Sequence, residues 1–97
     1  MELLPVNAYL ITEKCEVSQI TPKSGEEFEL EEAQRYVDGY IEIVQLTEKQ
    51  IMIINEEGKY SKNYNQIATA IAHLHNAIGR GDYIAGDVVI CPSKMLT

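Results

Sequence analysis

The chain has 97 residues, of which 45% are hydrophobic and 24% charged, a composition typical of one small globular domain rather than a disordered chain. Fifteen acidic residues outnumber eight basic ones and give a formal net charge of -7, so we expect no direct nucleic acid binding, which relies on basic side chains that neutralise phosphates. The longest apolar run, residues 51–54, is far shorter than the roughly 20 residues that cross a bilayer. Because its start shows no secretory signal pattern, the chain is predicted to be cytoplasmic, without a membrane partner.

The two cysteines, Cys15 and Cys91, are far apart in the sequence and match no metal-ligand spacing. In a reducing cytosol we expect two free, half-buried thiols. A disulfide would form only if the two strand ends that carry these cysteines met in the fold.

The first part of the chain is predicted to hold two strands. Residues 1–5 are a loose lead-in, and residues 6–12 alternate between two apolar faces in the manner of a strand. Residues 16–21 form a weaker second strand, and the turn residues of segment 21–25 indicate a loop.

A first helix is predicted over residues 28–38. Leu30, Ala33 and Val37 make one apolar stripe at helical spacing, and acidic residues occupy the first turn, where the helix dipole favours them. Gly39 is expected to end the helix as a left-handed C-terminal cap.

A hairpin follows, and we expect it to supply the middle of the sheet. Residues 40–46 alternate as a strand, and residues 51–54 are apolar throughout, which predicts a strand covered on both faces. Segment 55–58 has the composition of a turn that ends in a left-handed glycine, Gly58, and leads into a short return strand over residues 59–62.

A second helix is predicted from Tyr64 or Gln66 to Ala77, with Asn63 as its N-cap and Gln66 in the capping-box position. Its buried face is expected to consist of four apolar residues at helical spacing: Ile67, Ile71, Leu74 and Ile78.

The last strand is predicted over residues 83–91, with Gly86 at a bulge or a close contact and Pro92 preventing its continuation into a tail of residues 92–97. The fold class is therefore α+β: one domain over residues 1–97, with a small, mostly antiparallel sheet of about five strands and two helices, in the order β-β-α-β-β-(β)-α-β.

The chemistry-bearing residues form no catalytic or metal-binding pattern. His73 and His75 are two apart on the second predicted helix and project about 200° apart, so they cannot hold one metal together. None of the serines lies in a G-x-S-x-G turn, and the glycines are scattered singly rather than grouped in a phosphate loop. We therefore predict a protein that is not an enzyme and carries no catalytic residue, cofactor or metal.

A candidate interaction surface is the remaining feature. Six tyrosines stand against one phenylalanine and no tryptophan, and tyrosine suits both the rim of a core and an interface. Glu42 interrupts an apolar strand and is explained by a solvent-facing sheet surface or a Lys or Arg partner, and Glu56 and Glu57 lie at a turn tip where water solvates them. A paired-carboxylate acid/base site is the alternative, but nothing in the sequence fixes the separation of these carboxylates. The candidate surface consists of Tyr36, Tyr40, Glu42, Asn55, Glu56, Glu57, Tyr60 and Tyr64.

Four fragments carry a family resemblance: F-x-L-E-E-x-Q-x-x-V-x-G-Y-I-E-I-V from Phe28, I-x-N-E-E-G-K from Ile53, N-x-x-A-T from Asn65 and I-x-G-D-V-V-I-C from Ile84. Their order and spacing resemble the domain of unknown function 3846 family over most of the chain from residue 26 onward, and loosely over the first two predicted strands. Asn63-Tyr64 departs from the family, which often has Leu-Pro before the second helix. The resemblance brings no activity or catalytic residue. It implies a small accessory protein of a phage, plasmid or conjugative element, often from Bacteroides-type gut bacteria.

Three functions follow as hypotheses. The first is a non-enzymatic interaction module that binds an unidentified protein, for which a host protein is one option. The second is an acidic mimic of nucleic acid, built on Glu26, Glu27, Glu29, Glu31 and Glu32. The third is a pocket protein that sequesters a small metabolite or nucleotide against host defence. A homo-oligomer is compatible with each.

Overall fold

The computed structural model describes residues 7–96, so the predicted lead-in of residues 1–5 and the end of the predicted tail lie outside the described residues. Within this part the chain forms one sheet with helices on its faces. The elements are β1 (Ala8–Ile11), β2 (Val17–Ile20), α1 (Leu30–Val37), β3 (Ile41–Gln45), β4 (Gln50–Asn55), α2 (Gly58–Ser61), α3 (Gln66–Leu74) and β5 (Val88–Pro92), followed by a 3-10 turn over Ser93–Met95.

The sheet has five strands in the order β2-β1-β5-β4-β3, and every neighbouring pair is antiparallel. The predicted α+β class and antiparallel sheet are therefore confirmed. The expectation that the 40–54 hairpin supplies the middle of the sheet is wrong. The last strand, β5, lies in the centre, β4 is beside it, and β3 is an edge strand.

The core lies in two clusters on opposite faces of the sheet, because successive residues of a strand point to opposite faces. On one face, which we call the α1 face, Ala33 and Val37 pack with Ile51 and Ile53. On the other, the α3 face, Ala68 and Ala72 pack with Met52, Val88 and Ile90. The prediction that residues 51–54 are covered on both sides is thus confirmed.

The first helix is shorter than predicted. It begins at Leu30, whose side chain is 52% exposed, so the predicted stripe is wrong at this residue. Phe28 precedes the helix, is fully buried, and forms a bridge with Leu96 instead. Asp38, rather than Gly39, takes the left-handed conformation, with φ of 58°, and its backbone N–H donates to the carbonyl of Gln34. Aspartate tolerates this conformation as a single residue, so no glycine is needed there.

The predicted return strand over residues 59–62 is wrong, because these residues belong to the short helix α2 and its end. Gly58 begins that helix and is not left-handed. Its lack of a side chain serves a different purpose, since a Cβ at Gly58 would lie 2.8 Å from the carbonyl oxygen of Ala85. A close approach between two backbone segments therefore explains this glycine.

The second long helix, α3, begins at Gln66, and its N-cap is Asn65 rather than Asn63. The Asn65 Oδ1 accepts from the N–H of Ala68 at 2.9 Å, while its Nδ2 donates to the carbonyls of Ile11 and Gly86 at 3.0 and 2.8 Å. These bonds fix the start of the helix to the sheet. As a result, the helix faces the sheet with a set of residues that differs from the predicted one.

The predicted buried face of this helix is therefore partly wrong. Ala68, Thr69 and Ala72 are buried, whereas Ile67 and Ile71 are only half-buried. At the C-terminal end of the helix, Leu74 is 77% exposed, and the helix ends there rather than at Ala77.

The last strand begins at Val88, later than predicted, and extends through Pro92, which pairs with Gln50 at the end of the ladder. Gly86 has φ of +85°, and a Cβ there would lie 3.1 Å from the Lys62 side chain, which confirms the expected close contact. Both cysteines are free, Cys15 exposed and Cys91 buried. None of the described helices is long and apolar enough to cross a membrane.

Candidate functional site: an acidic, tyrosine-lined groove beside an edge strand

A groove of about 300 Å³ opens on the α3 face, between the β3–β4 hairpin, the short helix α2 and the segment that leads into β5. Its floor is apolar and includes Val44, Ile54 and Ile84. Polar and aromatic side chains border this floor: Glu42, Asn55, Glu56, Lys59, Tyr60, Asp82 and Tyr83. We call this feature the groove throughout.

Asn55 holds the hairpin end of the groove in place. Its side chain is buried, its Nδ2 donates to the carbonyls of Val37 and Asp38 at 3.0 and 3.1 Å, and its Oδ1 accepts from the N–H of Glu57 at 2.7 Å. The residue thus joins the end of β4 to the end of α1. Asn55 was predicted as an interaction residue, and these bonds give it a structural role.

The charge in the groove is predominantly negative. Asp82 pairs with Lys59, and this hydrogen bond lowers the pKa of Asp82 and raises that of Lys59. Glu42 and Glu56 are exposed, and no salt bridge to either forms within residues 7–96. Three carboxylates therefore share one ammonium group, and two of the carboxylates are left to water.

Aromatic side chains form the rim. Tyr60 is 89% exposed, and the Tyr64 and Tyr83 rings lie 5.8 Å apart at an angle of 50°. The Lys59 ammonium lies 5.1 Å from the centre of the Tyr83 ring, within the range of a cation–π contact. The Tyr83 ring of the rim thus already contacts one cation, the ammonium group of Lys59.

A second, shallower concavity adjoins the groove at the end of α1. Tyr40, which is 70% exposed, and Glu57 line it together with Asp38 and Ser61. Asp38 is paired here with Lys62, whose hydrogen bond lowers the pKa of the Asp38 carboxyl. This ion pair offsets the charge of Asp38 and leaves Glu57 as the remaining carboxylate of the second concavity, against Glu42 and Glu56 in the groove.

The structure brings most of the eight predicted surface residues together. Glu42, Asn55, Glu56 and Tyr60 line the groove, and Tyr40 and Glu57 line the adjoining concavity. Tyr64 lies beside Tyr83 at the rim.

Tyr36 does not belong to this surface. It packs on the α1 face, with its ring edge-on to Phe28 at 6.1 Å. Sequence reasoning also missed three polar or aromatic groove residues: Lys59, Asp82 and Tyr83. Asp82 and Tyr83 are more than 20 residues from the hairpin and reach it because the segment before β5 passes beside β4.

The open edge of β3 runs along one side of the groove. The N–H of Glu56 donates to the carbonyl of Tyr40 at 2.8 Å, and the N–H of Leu46 donates to the carbonyl of Gln50 at 3.0 Å. Hydrogen-bonded residues alternate along an antiparallel pair, so the backbone groups of Ile41, Ile43 and Gln45 point away from β4. No strand within residues 7–96 pairs with them.

This arrangement suits the binding of a cation. Carboxylates accept charge-assisted hydrogen bonds from guanidinium or ammonium groups, and tyrosine faces attract the same cations.

The described residues that line the groove include no serine, cysteine or histidine. Residues 7–96 also contain no cluster of three or more His, Cys, Asp or Glu side chains that could hold a metal ion.

Comparison with known proteins gives one match. The model of the family described as Domain of unknown function (DUF3846) matches residues 5–94, which is nearly the whole chain. No curated protein and no solved structure matches the chain.

Proposed function

The chain belongs to the DUF3846 family, and on that premise we propose that it is a non-enzymatic module that binds another protein through the groove. One observation carries the proposal: exposed tyrosines converge with carboxylates that lack a partner on one concave surface. Tyrosine is enriched at protein interfaces because a rigid apolar ring and a polar tip can both be used there. Asn55 is buried and its hydrogen bonds hold the groove in shape, so the proposed contact residues are the exposed side chains around it.

The biological setting is part of the proposal. The family resemblance implies an accessory protein encoded by a phage or another mobile element, and the proposal places its site of action in the cytoplasm. The partner is then a protein of the host cell or of the element itself.

A photo-crosslinking experiment tests the proposal in cells. A photoreactive phenylalanine analogue replaces Tyr60 at the groove in one variant and Leu30 on the α1 face in a matched control. Both positions are well exposed, so both react if contact is random. We expect a discrete protein adduct from position 60 that is absent from position 30. Equal adducts from both positions, or none from position 60, would contradict a binding role for the groove.

A small-molecule site is a second candidate, because the groove volume of about 300 Å³ is at the lower end of ligand pockets. Thermal unfolding separates the two candidates, since a ligand at 100 times its dissociation constant stabilises by about 2.7 kcal/mol. A nucleotide panel that leaves the midpoint unchanged disfavours this candidate. The acidic-mimic hypothesis has less support, because the Glu32 carboxylate already accepts from the N–H of Lys23 at 2.8 Å.

A further inference from the structure

We propose that the partner's contact segment is an extended, basic peptide that adds to the edge of β3 as a sixth strand and directs its basic side chains into the groove. The inference rests on the proposed protein-binding function and specifies its chemistry. Three observations support it: the backbone groups of β3 that point away from β4, the side chains on the two faces of β3, and the charge of the groove.

The backbone of β3 offers a complete template. Ile41, Ile43 and Gln45 each direct one N–H and one carbonyl outward, so the edge presents three donors and three acceptors. Strand addition uses such groups to bind a peptide largely independently of its sequence. The opposite edge, β2, is one residue shorter and has Ser18 and Gln19 exposed, so it offers less apolar contact.

Proteins usually block an open edge with proline, lysine or a bulge. In β3 there is no proline and no lysine, and its register with β4 runs without interruption. Its one charged residue is Glu42. A glutamate repels a second copy of the same edge but attracts a basic strand. The edge therefore stays open to strand addition and favours a basic partner.

The two faces of β3 specify different side chains in an added strand. On the α1 face, Ile41 is half-buried and Ile43 is 41% exposed, so a residue placed beside them gains contact if it is aliphatic. On the α3 face, the neighbour is Glu42 and beyond it lies the groove with Glu56 and Tyr60. A basic residue there pairs with the carboxylates and can stack on a tyrosine ring.

The preferred segment therefore alternates aliphatic and basic residues, such as Val-Arg-Val-Lys-Val. The overall charge agrees, because a formal net charge of -7 attracts a basic segment and repels a second copy of the chain. Self-association through β3 would place no basic residue opposite Glu42, since the strand carries no basic side chain.

The test uses the synthetic peptide acetyl-TVRVKVRVT-amide and the complete chain labelled with nitrogen-15. We expect saturable binding, slowed hydrogen exchange at the amides of Ile41, Ile43 and Gln45, and no change at Val17 and Gln19 of the β2 edge. A peptide with glutamate in place of each basic residue, and one with N-methylated amides on the residues that face β3, should each bind at least about tenfold more weakly, because they remove the charge match and the backbone bonds separately.

Two variants complete the test. Ile43→Pro removes an outward N–H without taking a bond from the β3–β4 ladder and should abolish binding. Glu42→Lys keeps the backbone edge and should weaken binding about tenfold by reversing the local charge. If Ile43→Pro fails to fold, the N-methylated peptide gives the same information on the unmodified chain.

The outcomes separate this inference from the function on which it rests. Peptide binding without protection of the three outward amides overturns strand addition. Protection of the same amides in the free chain, together with a dimer in sedimentation, also overturns it, because a second copy then occupies the edge. No peptide binding combined with a discrete adduct from position 60 overturns the basic-strand inference alone, whereas the absence of both overturns the protein-binding proposal as well.

Discussion

The amide of Asn55 occupies the space into which a side chain at Gly39 would project. A Cβ at Gly39 would lie 2.6 Å from Asn55 Nδ2, closer than real Cβ atoms come to a nitrogen. Nδ2 cannot simply move aside, because it donates to the carbonyls of Val37 and Asp38. Gly39 is thus required by a neighbour in space and not by the helix cap that its sequence position suggested.

Gly39→Ala should lower the free energy of unfolding by about 2–3 kcal/mol, since it strains the backbone and displaces two hydrogen bonds of Asn55. Gly25→Ala is the matched control: Gly25 has φ of +93° but nothing within 4 Å of its Cβ position, so only the strain of about 1 kcal/mol applies. Urea unfolding at unchanged m-value measures both. Equal losses in the two variants would show that the contact with Asn55 contributes nothing.

Asn65→Ala should destabilise the chain by about 3 kcal/mol. The substitution removes the N-cap of α3 and leaves the buried carbonyls of Ile11 and Gly86 without their donor. Asn63→Ala, at the exposed asparagine that also fits the capping pattern, should cost less than about 1 kcal/mol, because among the described residues its side chain bonds to Glu13 alone, at the surface. A larger loss of unfolding free energy from Asn63→Ala than from Asn65→Ala would indicate that Asn63 is the N-cap of α3.

The two thiols should react at very different rates. Cys15 is exposed, whereas Cys91 is buried in the central strand, and burial raises the pKa of its thiol to about 11. At about pH 8 a thiol-reactive maleimide should add once to the native chain and a second time only after unfolding, because the thiolate is the reactive form. Mass spectrometry counts the adducts, and Cys15→Ser should leave the native chain unlabelled. Rapid double labelling of the native chain would contradict the burial of Cys91.

Asp82→Asn should make the chain less sensitive to acid. The pKa of Asp82 is lowered from 3.8 by its bond to Lys59, so its stabilisation is complete above that value and is lost as the pH falls through the folded-state pKa. Asparagine can still accept from the N–H of Tyr83, so the comparison isolates the charge. The difference in unfolding free energy between the two chains should be largest near neutral pH and shrink toward zero as the pH falls through the folded-state pKa of Asp82, which lies below 3.8. A difference that does not change with pH would exclude this ion pair as its source.

Local patterns predicted the elements whose physics is local. The alternation of residues 8–11 and the continuous apolar run of residues 51–54 predicted the correct faces, because side-chain direction in a strand depends only on its period of two. Asn63 and Asn65 satisfy the same local capping rule. Only the buried carbonyls of Ile11 and Gly86, contributed by distant segments, make Asn65 the cap, so sequence could not decide between them.

The site was predictable to the same extent. Glu42, Glu56 and Tyr60 share one hairpin and its continuation, so their clustering follows from short separations along the chain. Tyr83 reaches them through the pairing of β4 with β5, which the hairpin pattern did not contain. Tyr36 lies apart from these residues because the helix turns it toward Phe28, and the rotation of a helix depends on what it packs against.

The position of β5 has a consequence for how the chain acquires its fold. Among the strands of residues 7–96 it is the last in sequence, and it alone joins the β1–β2 hairpin to the β3–β4 hairpin. During synthesis both hairpins are complete well before residues 88–92 exist, and until then each exposes an apolar edge. The sheet is therefore completed only when β5 inserts between β1 and β4, late in folding. A shortened chain that lacks this strand should regain its fold when residues 86–96 are supplied as a separate peptide.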